Sequence, residues 1–285
     1  MTEPRLYAVT PGGPVLLSRP PGEPAVHELY EGLSLGVYSG LRTYDHVRFL
    51  RLEDHLERTE RSMELLGWRE RLDRGAFRLA LHEACAAWPE PESRVRFDVL
   101  AAPAERLGTA ARSLLLVYPF EPVPAEYMAR GVGLEVTREL EREDPLIKRA
   151  EFVQRRLPFL TGTRERFDSL MVDAGGHVLE GSTSNFFAVL ESVLCTPEDG
   201  VLEGVTRRVV LELAEARGLR IRLGTLELDE LGDASEAFLT SSSRHLVPVV
   251  AVGGAAIGDG RPGPVTRDLV RAYDEYAQRE ARPAL

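Results

Sequence analysis

Lysine is almost absent from this chain. Of its 35 lysine and arginine residues, Lys148 in "DPLIKRAEFVQRR" is the only lysine. A coding bias toward arginine removes lysine wherever a surface cation suffices, so the exception carries information. An arginine guanidinium stays protonated up to pH ~12, whereas a lysine amine can be made neutral by burial and neighbours. Lys148 is therefore a candidate Schiff-base former, general base or acylation site, set against the alternative of one surface cation left by chance.

Other shortages narrow the class. The two cysteines, Cys85 and Cys195, lack C-x-x-C spacing, which fits a reducing compartment and argues against a thiolate metal site. The six histidines (His27, His46, His55, His82, His177 and His245) form no H-x-x-x-H pair, so no metal is expected. No run of 18 apolar residues exists, and "MTEPRLYAVTPGG" lacks the charged and apolar regions of a signal peptide. A cytoplasmic protein without a membrane partner is expected. Positive charge is also short: the net charge is −10, and the basic residues lie scattered among acids, so no nucleic-acid partner is expected. What is plentiful is apolar surface, 44% of residues, enough to bury a full core in two domains or one large one.

The first third reads as strands followed by helices. "GLRTYDHVRFLRL" alternates around an Asp-His turn and predicts a hairpin; "EDHLERTERSMELLGW" shifts to helical spacing, with Leu56, Met63, Leu65 and Leu66 inward. "DRGAFRLALHEACAAW" predicts a second helix, and "SRVRFDVLAA" and "RSLLLVYPF" two strands. The prolines of "YPFEPVPAEYM" break regular structure there. The expected division is a domain over 1–120, a linker over 121–125 and a second domain over 126–285. In that second part "FDSLMVDAGGHVLEG" reads as strand, turn, strand, "TRRVVLELAEARGL" as a helix ending at Gly218, and "PVTRDLVRAYDEYAQRE" as a closing helix. The fold class is mixed α/β or α+β, with a site expected in a cleft between domains.

Several residues carry candidate chemistry. Glu180 in "HVLEGSTSNFF" sits where a strand meets small hydroxylated residues, whose run leaves room for a flat ligand; the plain alternative is a solvated glutamate at a turn. Asn185 orients a ligand or caps the loop. "LEGVTRRVV" sets Gly204 before a helix opening with Val205 and Thr206, where exposed amides and a hydroxyl suit an anion. "TSSSRH" adds Ser242, Ser243 and Arg244 after a strand. Arg58 lies three residues after His55, on one helix face.

Taken together, "GVYSGLRTYD", "LEDHLERTERS", "PLIKR", "VLEGSTSNFF", "LEGVTR", "FLTSSSRHLVPV" and "IGDGRPGPVTRDLV" resemble class IV aminotransferases, in order and in spacing, including the 32 residues from Lys148 to Glu180. That group of pyridoxal-phosphate enzymes includes branched-chain and D-amino acid aminotransferases and aminodeoxychorismate lyases. The resemblance implies fold type IV, with a smaller N-terminal α/β domain, a larger C-terminal pseudo-barrel domain, and a homodimer. It implies pyridoxal 5'-phosphate as cofactor, Lys148 as its Schiff-base lysine and Glu180 as the acid facing the pyridine nitrogen. Arg58, Val205, Thr206 and Ser242, with Gly204 beside them, match phosphate-holding positions, and Tyr38 an aromatic near the substrate.

The chain departs from its relatives after the lysine. Branched-chain enzymes carry Gly-Gly-Asn-Tyr there; here Arg149, Ala150, Glu151, Phe152 and Val153 follow. Ala101 stands where D-amino acid enzymes place a carboxylate-binding arginine, which leaves Arg96, Arg42 or Arg244 for that task. The expected reaction exchanges an amino group between an amino acid and a 2-oxo acid, of branched-chain or D-amino acid type. The alternatives are pyruvate elimination from aminodeoxychorismate, a non-catalytic binding module on the same fold, and a Ser/His hydrolase for which no G-x-S-x-G elbow is present.

Overall fold

The computed structural model of the chain describes residues 2–18 and 28–285, so His27 lies outside the described residues. Two units are present: Met1–Glu121 with Ile147–Gln154 and Gln278–Leu285, and Pro122–Leu146 with Arg155–Ala277.

The first unit opens with β1 (Arg5–Thr10), β2 (Gly13–Leu16), β3 (Val37–Arg42), β4 (Arg48–Phe49), α1 (Leu52–Leu65), α2 (Arg74–Ala86), β5 (Ser93–Val99) and β6 (Ser113–Pro119). Five of these strands make an antiparallel sheet in the order β2-β1-β6-β5-β3. Successive side chains of a strand point to opposite faces, and the sequence is sorted accordingly. Val95, Phe97 and Val99 of β5 join Val37 and Leu41 of β3, Leu115 and Val117 of β6, and Leu56, Met63, Phe77 and Leu81 of the two helices in one apolar cluster. The alternate residues, Arg94, Arg96 and Asp98 on β5 beside Arg42, Gly40 and Tyr38 on β3, occupy the other face. Asp73 caps α2 by accepting from the Ala76 N–H at 2.9 Å. Leu65 departs from expectation and is 50% exposed. Two residues beyond the buried Met63, it is rotated by about 200° on the helix, away from the core.

From residue 125 onward the elements are α3 (Ala125–Arg130), β7 (Val132–Thr137), α4 (Glu151–Arg155), β8 (Asp168–Val172), β9 (Val178–Gly181), β10 (Asn185–Leu190), β11 (Val193–Thr196), α5 (Val205–Ala216), β12 (Arg220–Leu223), β13 (Glu236–Ser241), β14 (His245–Val252), β15 (Ala255–Ala256), α6 (Pro264–Glu280) and β16 (Arg282–Pro283). The sheet of the second unit runs β12-β11-β10-β13-β14-β7-β8-β9, with β15 added to β14. Flat pairing at ~4.8 Å per strand would hold β9 and β10 about 24 Å apart. Yet the chain from Gly181 to Asn185 reaches at most roughly 14 Å. The sheet therefore curls, as a pseudo-barrel requires, around a core that includes Leu170, Phe186, Leu239 and Val247. Among the described residues no helix is long and apolar enough to cross a membrane.

Two stretches beyond the expected linker pack with the first unit, and backbone pairing is the reason. The Tyr38 N–H donates to the Lys148 carbonyl at 3.1 Å and the Ala150 N–H to the Gly36 carbonyl at 2.8 Å. Near the C-terminus β16 pairs with β4, and Ala284 enters the apolar cluster with Ile147. A single boundary at 121–125 with a continuous 126–285 domain does not carry these returns. The expected hairpin around Asp45 and His46 forms, with both residues at positive φ (50° and 61°), but its second strand is β4, whose partner is β16.

The unit-one core makes a direct stability prediction. Phe97 is fully buried and its ring lies 5.0 Å from that of Phe77. Phe97→Ala should cost ~3–5 kcal/mol in urea denaturation followed by circular dichroism; a loss below about 1 kcal/mol would contradict this packing.

Candidate functional site

In the first unit Lys148 is held through its backbone. Its carbonyl accepts from Tyr38, and its own N–H donates to the Ser62 hydroxyl at 3.3 Å, which in turn donates to the Arg58 carbonyl at 2.9 Å. The amine lies 4.7 Å from the centroid of the Tyr38 ring. The helix face predicted to carry His55 and Arg58 meets one hydroxyl: Arg58 donates to Ser39 Oγ at 3.0 Å, and His55 Nδ1 lies 2.9 Å from the same atom. Arg96 is buried and forked onto Asp98, with Nε–Oδ2 at 2.9 Å and Nη2–Oδ1 at 2.6 Å, and its guanidinium covers Tyr30 and Tyr38. Arg42 pairs with Glu92 at 2.5 Å and stacks on Phe120.

In the second unit Glu180 is the penultimate residue of β9, its carboxylate enclosed by donors. Arg142 Nε donates to Oε1 at 2.5 Å; Asn185 Nδ2 and the Leu202 N–H donate to Oε2 at 2.8 and 3.3 Å. Both members of the Arg142–Glu180 pair are buried, Glu180 to 2% exposure. Asn185 thus orients the carboxylate, and its carboxamide also abuts Gly204, where a Cβ would collide with it. Gly204 precedes α5 with no side-chain cap, so the first-turn amides at Val205 and Thr206 are not capped by the Gly204 position. The two hydroxyl clusters of the sequence come together here: Thr206 Oγ1 lies 3.5 Å from Ser242 Oγ and 3.4 Å from the Tyr273 hydroxyl. Ser242, Ser243 and Arg244 form the turn between β13 and β14, whose flanking Ser241 and His245 are paired.

The hydroxyls of the Gly-Ser-Thr-Ser run after Glu180 are turned to partners within the protein. They converge on the buried Asp168: Ser182 and Thr183 donate at 2.5 Å and Ser184 at 3.0 Å. Arg244 reaches the same carboxylate at 3.3 Å and also donates to Thr183. Asp168 therefore ties the loop that follows Glu180 to the turn that carries Ser242. Burial pushes the Asp168 carboxyl up, but Arg244 and the three hydroxyls outweigh it and set it below the usual carboxylate range.

Sequence reasoning did not find Arg142, Asp168, Tyr273 or Asp98. Asp168 had a faint signal, an acid at the head of the apolar run "DSLMV", and Asp98 another, its alternation with Arg96. Arg142 had none among so many arginines. Cys85 is buried, and burial pushes its thiol up to about 12 against an opposing Ser93 hydrogen bond, which suits packing rather than nucleophilic use. Among the described residues no group of three or more His, Cys, Asp or Glu is placed to hold a metal.

The Asp168 hub predicts a pH effect with a definite sign. Its folded value lies below an unfolded value of about 3.9, so its contribution to stability is complete above that pH and fades as pH falls through the folded value. Asp168→Asn should lower the melting temperature at neutral pH and flatten the acid limb of a melting-temperature profile; a variant whose acid limb matches the wild type would refute the assignment.

The family model for amino-transferase class IV matches residues 36–252. A branched-chain-amino-acid aminotransferase of Pseudomonas aeruginosa is 39% identical over 107 residues, 37% of this chain and only 35% of that protein's length. A Thermotoga maritima protein named a probable branched-chain-amino-acid aminotransferase is 28% identical over 251 residues, 86% of this chain and 88% of the relative. Among solved structures, the holo-form of the branched-chain amino acid aminotransferase from Thermobaculum terrenum superposes with a TM-score of 0.77 at 21% identity, covering 99% of this chain and 98% of that one. The two-layer first unit and the curled second sheet are thus those of a known fold, and the chain belongs to the amino-transferase class IV family.

Proposed function

We propose that the protein is a pyridoxal 5'-phosphate-dependent aminotransferase that moves an amino group between a branched-chain amino acid and a 2-oxo acid. The observation that carries the reading is Lys148, the only lysine of the chain, anchored by backbone hydrogen bonds on both sides with its amine over Tyr38. The names of the relatives support the branched-chain side of the expectation and favour amino transfer over pyruvate elimination.

The residues present fit the cofactor. A single amine suits its aldehyde, the buried Glu180 carboxylate suits a ring nitrogen, and the Thr206 and Ser242 hydroxyls beside uncapped amides suit a phosphate. When bound, the cofactor supplies an electron-poor ring that accepts the electron pair released at the substrate Cα and a carbon that takes the amino group. Lys148 Nζ would hold it as a Schiff base and, once released, move the proton at the substrate Cα. Glu180 would hold a proton at the ring nitrogen, its carboxylate oriented by Arg142, Asn185 and the Leu202 amide. Arg58, Gly204, Val205, Thr206 and Ser242 would hold the phosphate, and Tyr38 and Ser243 would face the substrate. A cytoplasmic homodimer completes the proposal; the two cysteines are buried and free, as a reducing compartment leaves them.

Purified protein with pyridoxal phosphate should be yellow, and borohydride should fix the label on Lys148. Lys148→Ala should lose the colour and the label and drop transamination of leucine by at least ~10⁴-fold. A wild-type protein that stays colourless with added cofactor overturns the reading, and pyruvate release without a 2-oxo acid acceptor would assign elimination instead.

A further inference from the structure

A third hydroxyl stands beside the two that suit a phosphate, and it comes from α6. Tyr273 is buried with its hydroxyl 3.4 Å from Thr206 Oγ1, which in turn lies 3.5 Å from Ser242 Oγ. The buried face of α6 also carries Leu269, Ala272 and Ala277, so a phenylalanine ring would pack there as well as a tyrosine does. Burying the extra hydroxyl costs free energy unless a hydrogen bond offsets it. The helix is fixed on both sides of this residue. At its start the Val265 and Thr266 N–H groups donate to Glu236 of β13 at 3.1 and 2.7 Å, which satisfies donors that a helix N-terminus leaves open. Next to Tyr273, Asp274 accepts from His245 Nδ1 at 2.7 Å, and the His245 ring meets the Tyr273 ring edge-on with centroids 4.9 Å apart. Glu236 and His245 belong to β13 and β14, the strands that frame the turn carrying Ser242. The same two strands therefore place Ser242 and anchor the helix that brings in Tyr273.

We propose that Tyr273 is a positioning residue for the cofactor's phosphate: its hydroxyl donates to Thr206 Oγ1 and so leaves the Thr206 proton for an anion at the start of α5. The inference rests on the aminotransferase reading above and on the phosphate role of Thr206 within it. A threonine oxygen carries one proton and two lone pairs. A phenol is a stronger donor and a weaker acceptor than an alkyl alcohol, so the bond runs from Tyr273 to Thr206. The Thr206 proton is then directed to Ser242 or to an anion, and the charge of an anion makes it the preferred acceptor. Hydroxyls linked in series in a buried setting also polarise one another, which strengthens the last donor of the chain. Separations of 3.4 and 3.5 Å are long for hydroxyl pairs, the spacing of groups that can close on an oxygen placed among them. Tyr273 acts through Thr206, and the His245–Asp274 pair keeps its ring in place.

The test titrates the full-length enzyme, stripped of cofactor, with pyridoxal phosphate and with pyridoxal, which lacks the phosphate, and reads each dissociation constant from the yellow colour. Tyr273→Phe removes one oxygen and should weaken pyridoxal phosphate about 3- to 10-fold while leaving pyridoxal within about 2-fold of wild type. A purely structural role would move both ligands together, so equal weakening overturns the inference, and so does no weakening of either. In a Thr206→Val background the same Tyr273→Phe change should add no further loss, because the group it acts through is gone; a full second loss there also overturns it. Should Tyr273→Phe fail to fold, Asp274→Ala decides, since that side chain is half exposed and only its hold on His245 is removed. A loss of about 2-fold or more confined to pyridoxal phosphate upholds the proposal, and its absence overturns it. A yellow wild-type enzyme that transaminates leucine preserves the aminotransferase reading whatever Tyr273 does; a colourless one ends both.

Discussion

Two backbone hydrogen bonds fix the root of the one lysine side chain in the sequence. The Tyr38 N–H to the Lys148 carbonyl and the Ala150 N–H to the Gly36 carbonyl lay residues 148–150 along the edge of β3, and Ser62 takes the remaining Lys148 N–H. A lysine side chain has four rotatable carbons, so its reach is only as defined as its root. Rooting it on a strand edge gives it the precision of the sheet. The same pairing sets its neighbours. Because side chains alternate, a one-residue slip of β3 would exchange Tyr38 for the core-facing Val37 beneath the amine and send an aromatic hydroxyl into the apolar cluster. The packing of Val37, Leu41 and Phe97 against the helices thus guards the register, and through it the surroundings of Lys148.

The second unit is organised around buried charge. Burying an ion pair is costly unless its remaining valences are met by further hydrogen bonds. Both pairs here meet that condition: Glu180 adds Asn185 and the Leu202 amide to Arg142, and Asp168 adds three hydroxyls and the Ser169 N–H to Arg244. Their return is geometric. Glu180 cannot swing without breaking donors from three segments of chain, and Asp168 holds the 181–184 loop and the Ser242–Arg244 turn to one point. Thr206, Ser242 and Tyr273 then form a hydroxyl group whose members come from α5, the β13–β14 turn and α6.

Much of the fold was legible because it is written in local periods. The alternation in "SRVRFDV" assigned β5 and its two faces, helical spacing assigned α1 and α2, and a fixed order of short segments carried the family. The strand that carries Glu180 was legible from its turn and alternation, and Lys148 stood out as a candidate by composition alone. The illegible part consists of partners distant in sequence. Nothing local links Arg142 to a glutamate 38 residues later, or Asp168 to Arg244 76 residues later. The use of Ser182, Thr183 and Ser184 as donors to Asp168 was not legible either, because size is visible in sequence and hydrogen bonding is not. Leu65 read as core because a run of apolar letters hides the helical phase. The returns of residues 147–154 and 278–285 depend on strand-edge pairing, which leaves almost no mark in so few residues.

The lone lysine and the paired arginines express one constraint. In a chain that meets its need for positive charge with arginine, guanidinium groups fall everywhere, including against the same Tyr38 ring as the Lys148 amine. A guanidinium cannot be discharged by burial, so the only way to quiet one is to supply an acid. Each arginine that the sequence offered for the substrate carboxylate has such an acid: Glu92 on Arg42, Asp98 on Arg96 and Asp168 on Arg244. Acids exceed bases by ten in this chain, and at these three positions an acid neutralises an arginine that would otherwise compete for any incoming anion.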